Sequence, residues 1–170
     1  MCFMCDLLLR IAFCFKMGRI QEMRNQFTVN ECNDLTVIRE LFLEYSQIKG
    51  AESCFVSFEN EISNLKAFYS GGALLAGYEN EKPVGCIAVK KLDEMTCEAK
   101  RLFIKPEARG KGYGRMMMSA MLAKALELGY QKVFLTTKPA VMKIGYELYK
   151  NMGFIELSEN QGTVKMEKDI

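Results

Sequence analysis

The chain of 170 residues contains no histidine and no tryptophan, and it has only three prolines. Without histidine there is no Ser-His-Asp or Cys-His nucleophile, no imidazole base and no histidine ligand for a metal ion. Acid–base chemistry must therefore use carboxylates, tyrosine, cysteine, lysine or water. We predict no metal cofactor.

A strong net charge is also missing, since the formal charge at neutral pH is +2. No overall electrostatic field therefore favours a nucleic acid or a membrane as partner. Hydrophobic residues make up 49% of the chain. At this length, that composition predicts one globular domain with a sizeable core.

The seven cysteines form no regular framework, because they lie at positions 2, 5, 14, 32, 54, 86 and 97. Only Cys2 and Cys5 are close in sequence, and no second pair completes a zinc site. An odd number of scattered cysteines is typical of reduced thiols in a cytoplasmic protein and not of a secreted disulfide framework.

The first sixteen residues are apolar and rich in cysteine. This stretch is too short to span a bilayer, which takes about 20 residues, and it lacks the basic region and cleavage site of a signal peptide. We expect residues 1–23 to be an extension and residues 24–170 to form the domain. Because Met17 and Met23 are available starts, we hypothesise that the extension results from start-site choice. Detection of an intact Cys2–Lys16 peptide in the native protein would exclude this.

The most informative stretch is a glycine-rich turn, Arg109-Gly110-Lys111-Gly112-Tyr113-Gly114-Arg115, which precedes the helical pattern Met116–Leu128. The first N–H groups of a helix have no intrahelical partner, and the helix dipole adds partial positive charge there. The glycines allow close approach to the backbone. The turn is therefore predicted to bind an anion, most simply a pyrophosphate.

The turn belongs to a basic run, because residues 100–115 contain six cations against one acid, Glu107. A solvated surface is the ordinary explanation of such a run, but its overlap with the glycine turn favours an anion pocket. Nucleic-acid binding is a weaker alternative, since Phe103 and Tyr113 are the few aromatic residues that could stack on bases.

The apolar patterns predict the element order β-α-α-β-β-β-α-β-α-β-β, which favours a mixed α/β sheet with helices on both faces. Asp34 is expected to cap the first helix and Ser57 to begin the second. A five-residue turn over 79–83 is expected to join two strands as a hairpin. The remaining predicted elements are strands 26–31 and 95–105, helix 116–128, strand 132–137, helix 141–152 and hairpin 154–166.

Two motifs resemble those of the GNAT acetyltransferase superfamily. The stretch Cys97–Gly114 is similar to its acetyl-CoA-binding segment, and Arg109, Gly112 and Gly114 match the core Arg/Gln-x-x-Gly-x-Gly/Ala. The stretch Leu148–Phe154 is similar to the later Leu-Tyr-x-x-x-Gly-Phe signature. Nucleoside-triphosphate and dinucleotide loops fit less well, because the glycine spacing differs and no Gly-Lys-Ser/Thr follows. The resemblance implies a GNAT-like fold, with a mostly antiparallel sheet splayed at its centre.

The resemblance also implies that an amine attacks the thioester of acetyl-CoA directly, through a tetrahedral intermediate. Tyr149 matches the tyrosine that protonates the leaving thiolate, although it also lies in an apolar helical stripe that is typical of core packing. Glu98 is the carboxylate that the motif places for the base, and a structural ion pair with Lys100 is an equally good explanation.

The backbone before the turn is implied to bind the pantetheine arm and the oxyanion, and the turn is implied to bind the phosphates. The implied cofactor-binding residues are Leu102, Phe103, Ile104, Arg109, Gly110, Lys111, Gly112, Tyr113, Gly114 and Arg115. Many family members have an asparagine after the fifth strand, where this chain reads Thr136-Thr137-Lys138-Pro139, so that contact is left open.

The acceptor is not specified, and a small amine, an amino acid or a peptide or protein amine all fit. A non-catalytic acyl-CoA-binding or regulatory domain of the same fold is the alternative function. We expect no nucleic-acid or membrane partner, and a homodimer is compatible with the sequence. Cys86 and Cys97 are interpreted as core thiols, because no histidine is present to activate them.

Overall fold

The computed structural model describes residues 27–50, 52–55 and 57–170, apart from the side chains of residues 53 and 54. The predicted extension, with its start-site hypothesis, lies outside the described residues.

The described residues form seven strands in the predicted order and five α-helices, where the sequence predicts four. Two short 3₁₀ turns, Glu52–Phe55 and Pro106–Ala108, are added to it. In chain order the elements are β1 Phe27–Glu31, α1 Leu35–Ser46, α2 Phe58–Ser63, α3 Leu65–Phe68, β2 Ala73–Glu79, β3 Lys82–Lys91, β4 Thr96–Ile104, α4 Tyr113–Glu127, β5 Lys132–Thr137, α5 Lys143–Asn151, β6 Ile155–Asn160 and β7 Thr163–Asp169.

The strands form one sheet in the order β1-β2-β3-β4-β5-β7-β6. Strands β4 and β5 are parallel, and the other neighbouring pairs are antiparallel. The parallel pair follows from α4, because a helix that crosses over the sheet returns the chain in the same direction. The predicted mixed, mostly antiparallel sheet is confirmed.

The sheet separates two apolar cores. On one face, α4 buries Met117, Met118 and Met121 completely. On the other face, α1 contributes Ile38, Leu41, Phe42 and Tyr45 to a second core. In the run Met116-Met117-Met118, the second and third methionines are thus core residues, whereas Met116 is 45% exposed.

Helix α1 begins where the sequence predicts, because the Asp34 carboxylate accepts a hydrogen bond of 2.9 Å from the Thr36 N–H. The second helical pattern is interrupted. Asn64 has non-helical dihedral angles (φ −145°, ψ 69°). Its side chain caps α3, because its Oδ1 accepts a hydrogen bond of 3.1 Å from the Ala67 N–H. The predicted single helix after Ser57 is thus two short helices, since asparagine favours caps over helix interiors.

The first hairpin has a tighter turn than the sequence predicts. Asn80 and Glu81 alone connect β2 to β3, with φ of 50° and 67°. Two left-handed residues match the twist of the flanking strands. The predicted five-residue turn was therefore wrong, and Glu79, Lys82 and Pro83 are strand residues.

Candidate active site

The sheet opens between its two parallel strands. Strands β4 and β5 pair over Thr96–Glu98 and Lys132–Phe134. Beyond this register β4 continues to Ile104, while β5 continues to Thr137 along β7. A pocket of about 140 Å³ lies at the opening.

The pocket brings together three residues to which the sequence gave separate roles. Glu98 and Leu102 on β4 and Tyr149 on α5 all line it. Tyr45 of α1 lines the same pocket from the opposite face of the sheet. The cavity therefore connects the two layers of helices through the opened sheet.

A bulge in β4 forms part of the pocket wall. Cys86 pairs with Phe103 and Ala88 pairs with Lys100, so β4 has one residue more than β3 over this interval. Arg101 in the bulge has a φ of 61°, a left-handed conformation that residues other than glycine seldom adopt. The extra residue disrupts the side-chain alternation of the strand, and the consecutive residues Lys100 and Arg101 both line the pocket.

Glu98 faces the pocket with a basic neighbour. Its carboxylate lies 3.4 Å from the Lys100 ammonium group, and the two side chains are 18% and 21% exposed. The ion pair that the sequence offered as an alternative is therefore present. The carboxylate still lines the pocket, so the pairing leaves it accessible to a ligand.

Tyr149 both packs on the core and lines the pocket, the two alternatives that the sequence left open. Its ring packs edge-on against Phe154, with centroids 6.1 Å apart, and it contacts the core on the α4 face. It also lines the pocket. Tyr149 is therefore both packed on the core and part of the pocket lining.

The glycine turn provides open backbone at the N-terminus of α4. Gly110 and Gly112 have φ of 78° and 82°, and no heavy atom of the described residues lies within 4 Å of the position that a Cβ would occupy on either. Gly112 is the N-cap of α4 and has no side chain to satisfy the first N–H groups. These features suit an anion that approaches the helix end.

The side chains around the turn are partly engaged. The ammonium group of Lys111 lies 2.7 Å from the Glu79 carboxylate, which also accepts a hydrogen bond of 2.5 Å from the Tyr113 hydroxyl. The Tyr113 ring stacks on Phe27 at 3.9 Å and is buried. Tyr113 thus contributes its main chain to the turn, whereas its side chain belongs to the core.

Arg109 folds back along β4, and its Nε donates a hydrogen bond of 2.9 Å to the Ile104 carbonyl. Arg115 is exposed on the first turn of α4. Elsewhere in the basic run, acidic partners neutralise much of the charge: Lys100 pairs with Glu98, Arg101 with Glu61, Lys105 with Glu44 and Lys111 with Glu79. The run presents less positive surface than its sequence suggests.

Sequence reasoning missed Thr137 as a site residue. Its side chain lines the pocket and is 3% exposed, and its hydroxyl has no hydrogen-bond partner among the described residues. A buried hydroxyl in this state costs free energy unless a ligand pairs with it. The sequence offered only its place after the fifth strand, where the family's asparagine contact was left open.

Sequence reasoning also missed Glu61, which is 1% exposed. The sequence does indicate that Glu61 is buried, because it lies between Phe58 and Leu65 at helical spacing and thus on their apolar face. Its partner, Arg101, lies 40 residues away in sequence and could not be identified from periodicity.

Cys86 and Cys97 are fully buried. Burial raises the pKa of both thiols, that of Cys97 to about 12. Since the thiolate is the nucleophile, neither group is reactive at neutral pH. Their interpretation as core thiols is confirmed.

Residues 35–154 match the model of the acetyltransferase (GNAT) family. The chain belongs to the GNAT family. A curated relative, an uncharacterized N-acetyltransferase of Schizosaccharomyces pombe, is 31% identical over 125 residues, covering 71% of this chain and 76% of the relative. The resemblance found in the sequence is confirmed, and the chain is an N-acetyltransferase.

Solved structures show the same GNAT fold. An acetyltransferase of Streptococcus agalactiae superposes with a TM-score of 0.70 at 18% identity, covering 85% of this chain and 98% of that one. The PaiA N-acetyltransferase of Thermoplasma acidophilum, solved with coenzyme A, gives a TM-score of 0.63 at 18% identity, with coverage of 85% and 99%. Among the described residues of this GNAT domain, no helix is both long and apolar enough to cross a membrane.

Proposed function

We propose that this GNAT protein transfers the acetyl group of acetyl-CoA to a primary amine by direct attack at the pocket between β4 and β5. The observation that carries the proposal is that one cavity is lined by a carboxylate, a tyrosine and the bulged segment of β4. These groups supply what acetyl transfer requires: a proton acceptor, a proton donor and main-chain donors for the oxyanion.

The residues present fit acetyl-CoA. The turn offers open backbone at Gly110 and Gly112, and a helix N-terminus suits the pyrophosphate. Arg109, Lys111 and Arg115 are assigned to the phosphates. The backbone of Leu102–Ile104 is assigned to the pantetheine arm and to the thioester oxygen, where one fixed N–H donor contributes about 3 kcal/mol.

Glu98 is assigned the base. A primary amine with a pKa of about 10 is almost fully protonated at neutral pH, so it must lose a proton before it attacks. The Glu98 carboxylate lines the pocket and is held 3.4 Å from Lys100, which fixes its direction. It accepts the amine proton, directly or through a water molecule.

Tyr149 is assigned the acid. The thiolate of coenzyme A, with a pKa of about 8.5, can take a proton from a tyrosine whose pKa is about 10. The ring packs on Phe154, which restrains the side chain, and the residue lines the pocket.

Thr137 is assigned to the coenzyme as well. Its buried hydroxyl lines the pocket and lacks a partner among the described residues, and the pantetheine arm carries amide groups that can pair with it. This contact replaces the asparagine contact that the sequence left open.

The test combines two measurements on the full chain. Calorimetry with acetyl-CoA tests binding, and a thiol-release assay over a library of amino acids, polyamines and peptides tests transfer. We expect micromolar binding and acceptor-dependent thiol release. Binding without release across the library would indicate the non-catalytic domain instead, and absence of binding would contradict the site assignment itself.

A further inference from the structure

A buried ion pair connects the second layer of helices to the bulge of β4. The Arg101 Nε and Nη2 atoms donate hydrogen bonds of 2.8 Å and 2.5 Å to the two carboxylate oxygens of Glu61. The two side chains are 5% and 2% exposed. This bidentate geometry restricts both groups more than a single contact would.

Neighbouring groups complete the arrangement. The Tyr69 hydroxyl donates a hydrogen bond of 2.6 Å to the Glu61 carboxylate. The Arg101 guanidinium group lies 4.4 Å from the ring centroid of Phe55 and 5.3 Å from that of Phe58. Helix α2 and the preceding 3₁₀ turn therefore hold the guanidinium group on several sides.

The same arginine has the unusual backbone. Its φ of 61° belongs to the bulge, and its carbonyl accepts a contact of 3.5 Å from the Cys86 thiol. Left-handed residues other than glycine persist only when their surroundings determine them. Here the surroundings are the ion pair and the two aromatic rings.

We propose that Glu61 is a positioning residue that, through Arg101, holds the β4 bulge in the geometry that aims the Leu102–Ile104 backbone at the thioester. Glu61 itself does not touch the substrates, because it is almost fully buried. The inference rests on the proposed acetyl transfer and assigns a residue that the family motifs do not include.

A purely structural role is the competing explanation, and the energetics disfavour it. A buried ion pair loses so much solvation that apolar residues of similar volume are often equally or more stabilising. Such a pair is more readily explained if it maintains a particular backbone geometry at its location. Its location here is the one left-handed residue of β4, in the wall of the pocket.

The decisive variant is Glu61→Gln, which keeps the size of the side chain and removes its charge. We expect kcat to fall about 10- to 100-fold, because small misplacements of reacting groups are costly. We expect the dissociation constant of acetyl-CoA to change less than about threefold, because the phosphates are bound by the turn beyond β4. Tyr69→Phe, which removes one hydrogen bond to Glu61, should lower kcat about threefold.

The matched control is Glu167→Gln. Glu167 also pairs with a lysine, Lys132, at 3.0 Å and is 17% exposed, but it lies on β7 and is not among the residues that line the pocket. Equal losses of kcat in Glu61→Gln and Glu167→Gln would show general destabilisation and overturn the proposal. A folded Glu61→Gln protein with kcat within about twofold of wild type would overturn it as well. If Glu61→Gln does not fold, an unchanged kcat in Tyr69→Phe overturns it.

A readout without turnover separates this proposal from the proposed function. In the wild-type protein, the Leu102 amide resonance should differ between the acetyl-CoA and CoA complexes, and Glu61→Gln should abolish that difference. A wild-type protein that binds acetyl-CoA but acetylates no amine would contradict the transferase assignment alone. Retention of the difference in Glu61→Gln would contradict the positioning role alone.

Discussion

At the scale of single residues, Tyr149 depends on α5 for its position. Its ring meets Phe154 on the core side, while the pocket lies on the other. An acid must be held beside its leaving group, and core packing of the ring restrains the side chain. The core packing that the sequence offered as one explanation is present, and the acid role stays a prediction.

Tyr149→Phe removes the hydroxyl and keeps the packing. We expect kcat to fall about 10²-fold at unchanged acetyl-CoA affinity, because only proton delivery is lost. Steady-state kinetics and calorimetry measure the two quantities. Tyr146→Phe is the control on the same helix, since the Tyr146 hydroxyl bonds to Glu156 at the surface. Unchanged turnover in Tyr149→Phe would remove the acid role.

Thr137→Val tests the buried hydroxyl without changing its volume. Loss of an unpaired hydroxyl should raise the free energy of unfolding of the ligand-free protein by about 1 kcal/mol. Loss of its bond to the coenzyme should weaken acetyl-CoA binding about 2- to 10-fold. Denaturant unfolding and calorimetry check these opposite effects, with Thr28→Val on the exposed side of β1 as control. Equal affinity in both variants would refute the contact.

At the scale of elements, the glycine turn and α4 act as one unit. The turn follows the 3₁₀ turn Pro106–Ala108 after β4, begins α4 with Gly112 as the N-cap and leaves open space at Gly110 and Gly112. Its two positive-φ glycines have open space around them, so packing does not explain why side chains are absent there. Their positive φ does, because residues other than glycine rarely adopt that conformation.

Gly112→Val should abolish acetyl-CoA binding, because its side chain fills the space assigned to the phosphates. Gly129→Val is the matched control at the other end of α4. Gly129 has a φ of 91° and similarly open surroundings, so the backbone strain of about 1–2 kcal/mol is comparable. Both variants should lose similar stability in thermal unfolding, and only Gly112→Val should lose binding. Survival of binding would contradict the pocket.

The breaks between elements show where sequence patterns stop being informative. The apolar spacing around Phe58 and Leu65 is continuous, yet Asn64 ends one helix and caps the next. Asn80 and Glu81 alone form the first hairpin turn, for which the sequence predicts five residues. In both places a local hydrogen-bond or dihedral preference, rather than hydrophobic periodicity, decides the boundary.

At the scale of the whole molecule, the opened sheet joins two separate cores. The methionine-rich core lies under α4, and the aromatic core lies under α1. The Glu61–Arg101 pair crosses from the helices of the second core to the central strand. The stability of that face and the geometry of the pocket are therefore coupled.

This coupling predicts an acid-dependent stability. Burial raises the pKa of Glu61, but hydrogen bonds from Arg101 and Tyr69 outweigh it and leave the pKa below the ordinary value of 4.5. A lowered carboxyl pKa contributes stability above the unfolded value, and that contribution is lost as the pH falls through the folded value.

Between about pH 5.5 and 3, the free energy of unfolding should therefore fall more steeply in the wild-type protein than in Glu61→Gln, because the unfolded wild-type chain binds an additional proton there. Denaturant titrations at several pH values measure the slopes. Parallel curves for the two proteins would show that the pair does not contribute to the acid sensitivity.

The sequence by itself determined most of the elements, the family and the position of the glycine turn. Helical and strand periodicities, caps and the spacing of Arg109, Gly112 and Gly114 are local properties, which are written in consecutive residues. Tyr149 and Glu98 were identified in the same way, through motifs that contain them.

Tertiary structure alone decided which of these residues meet. The opening between β4 and β5 arises from long-range strand pairing, and it places Thr137 beside Glu98 and Tyr149. The partnership of Glu61 with Arg101 depends on how a helix docks on a bulged strand. Such contacts join residues far apart in the chain, so no local pattern encodes them, and they appear only when the two cores pack.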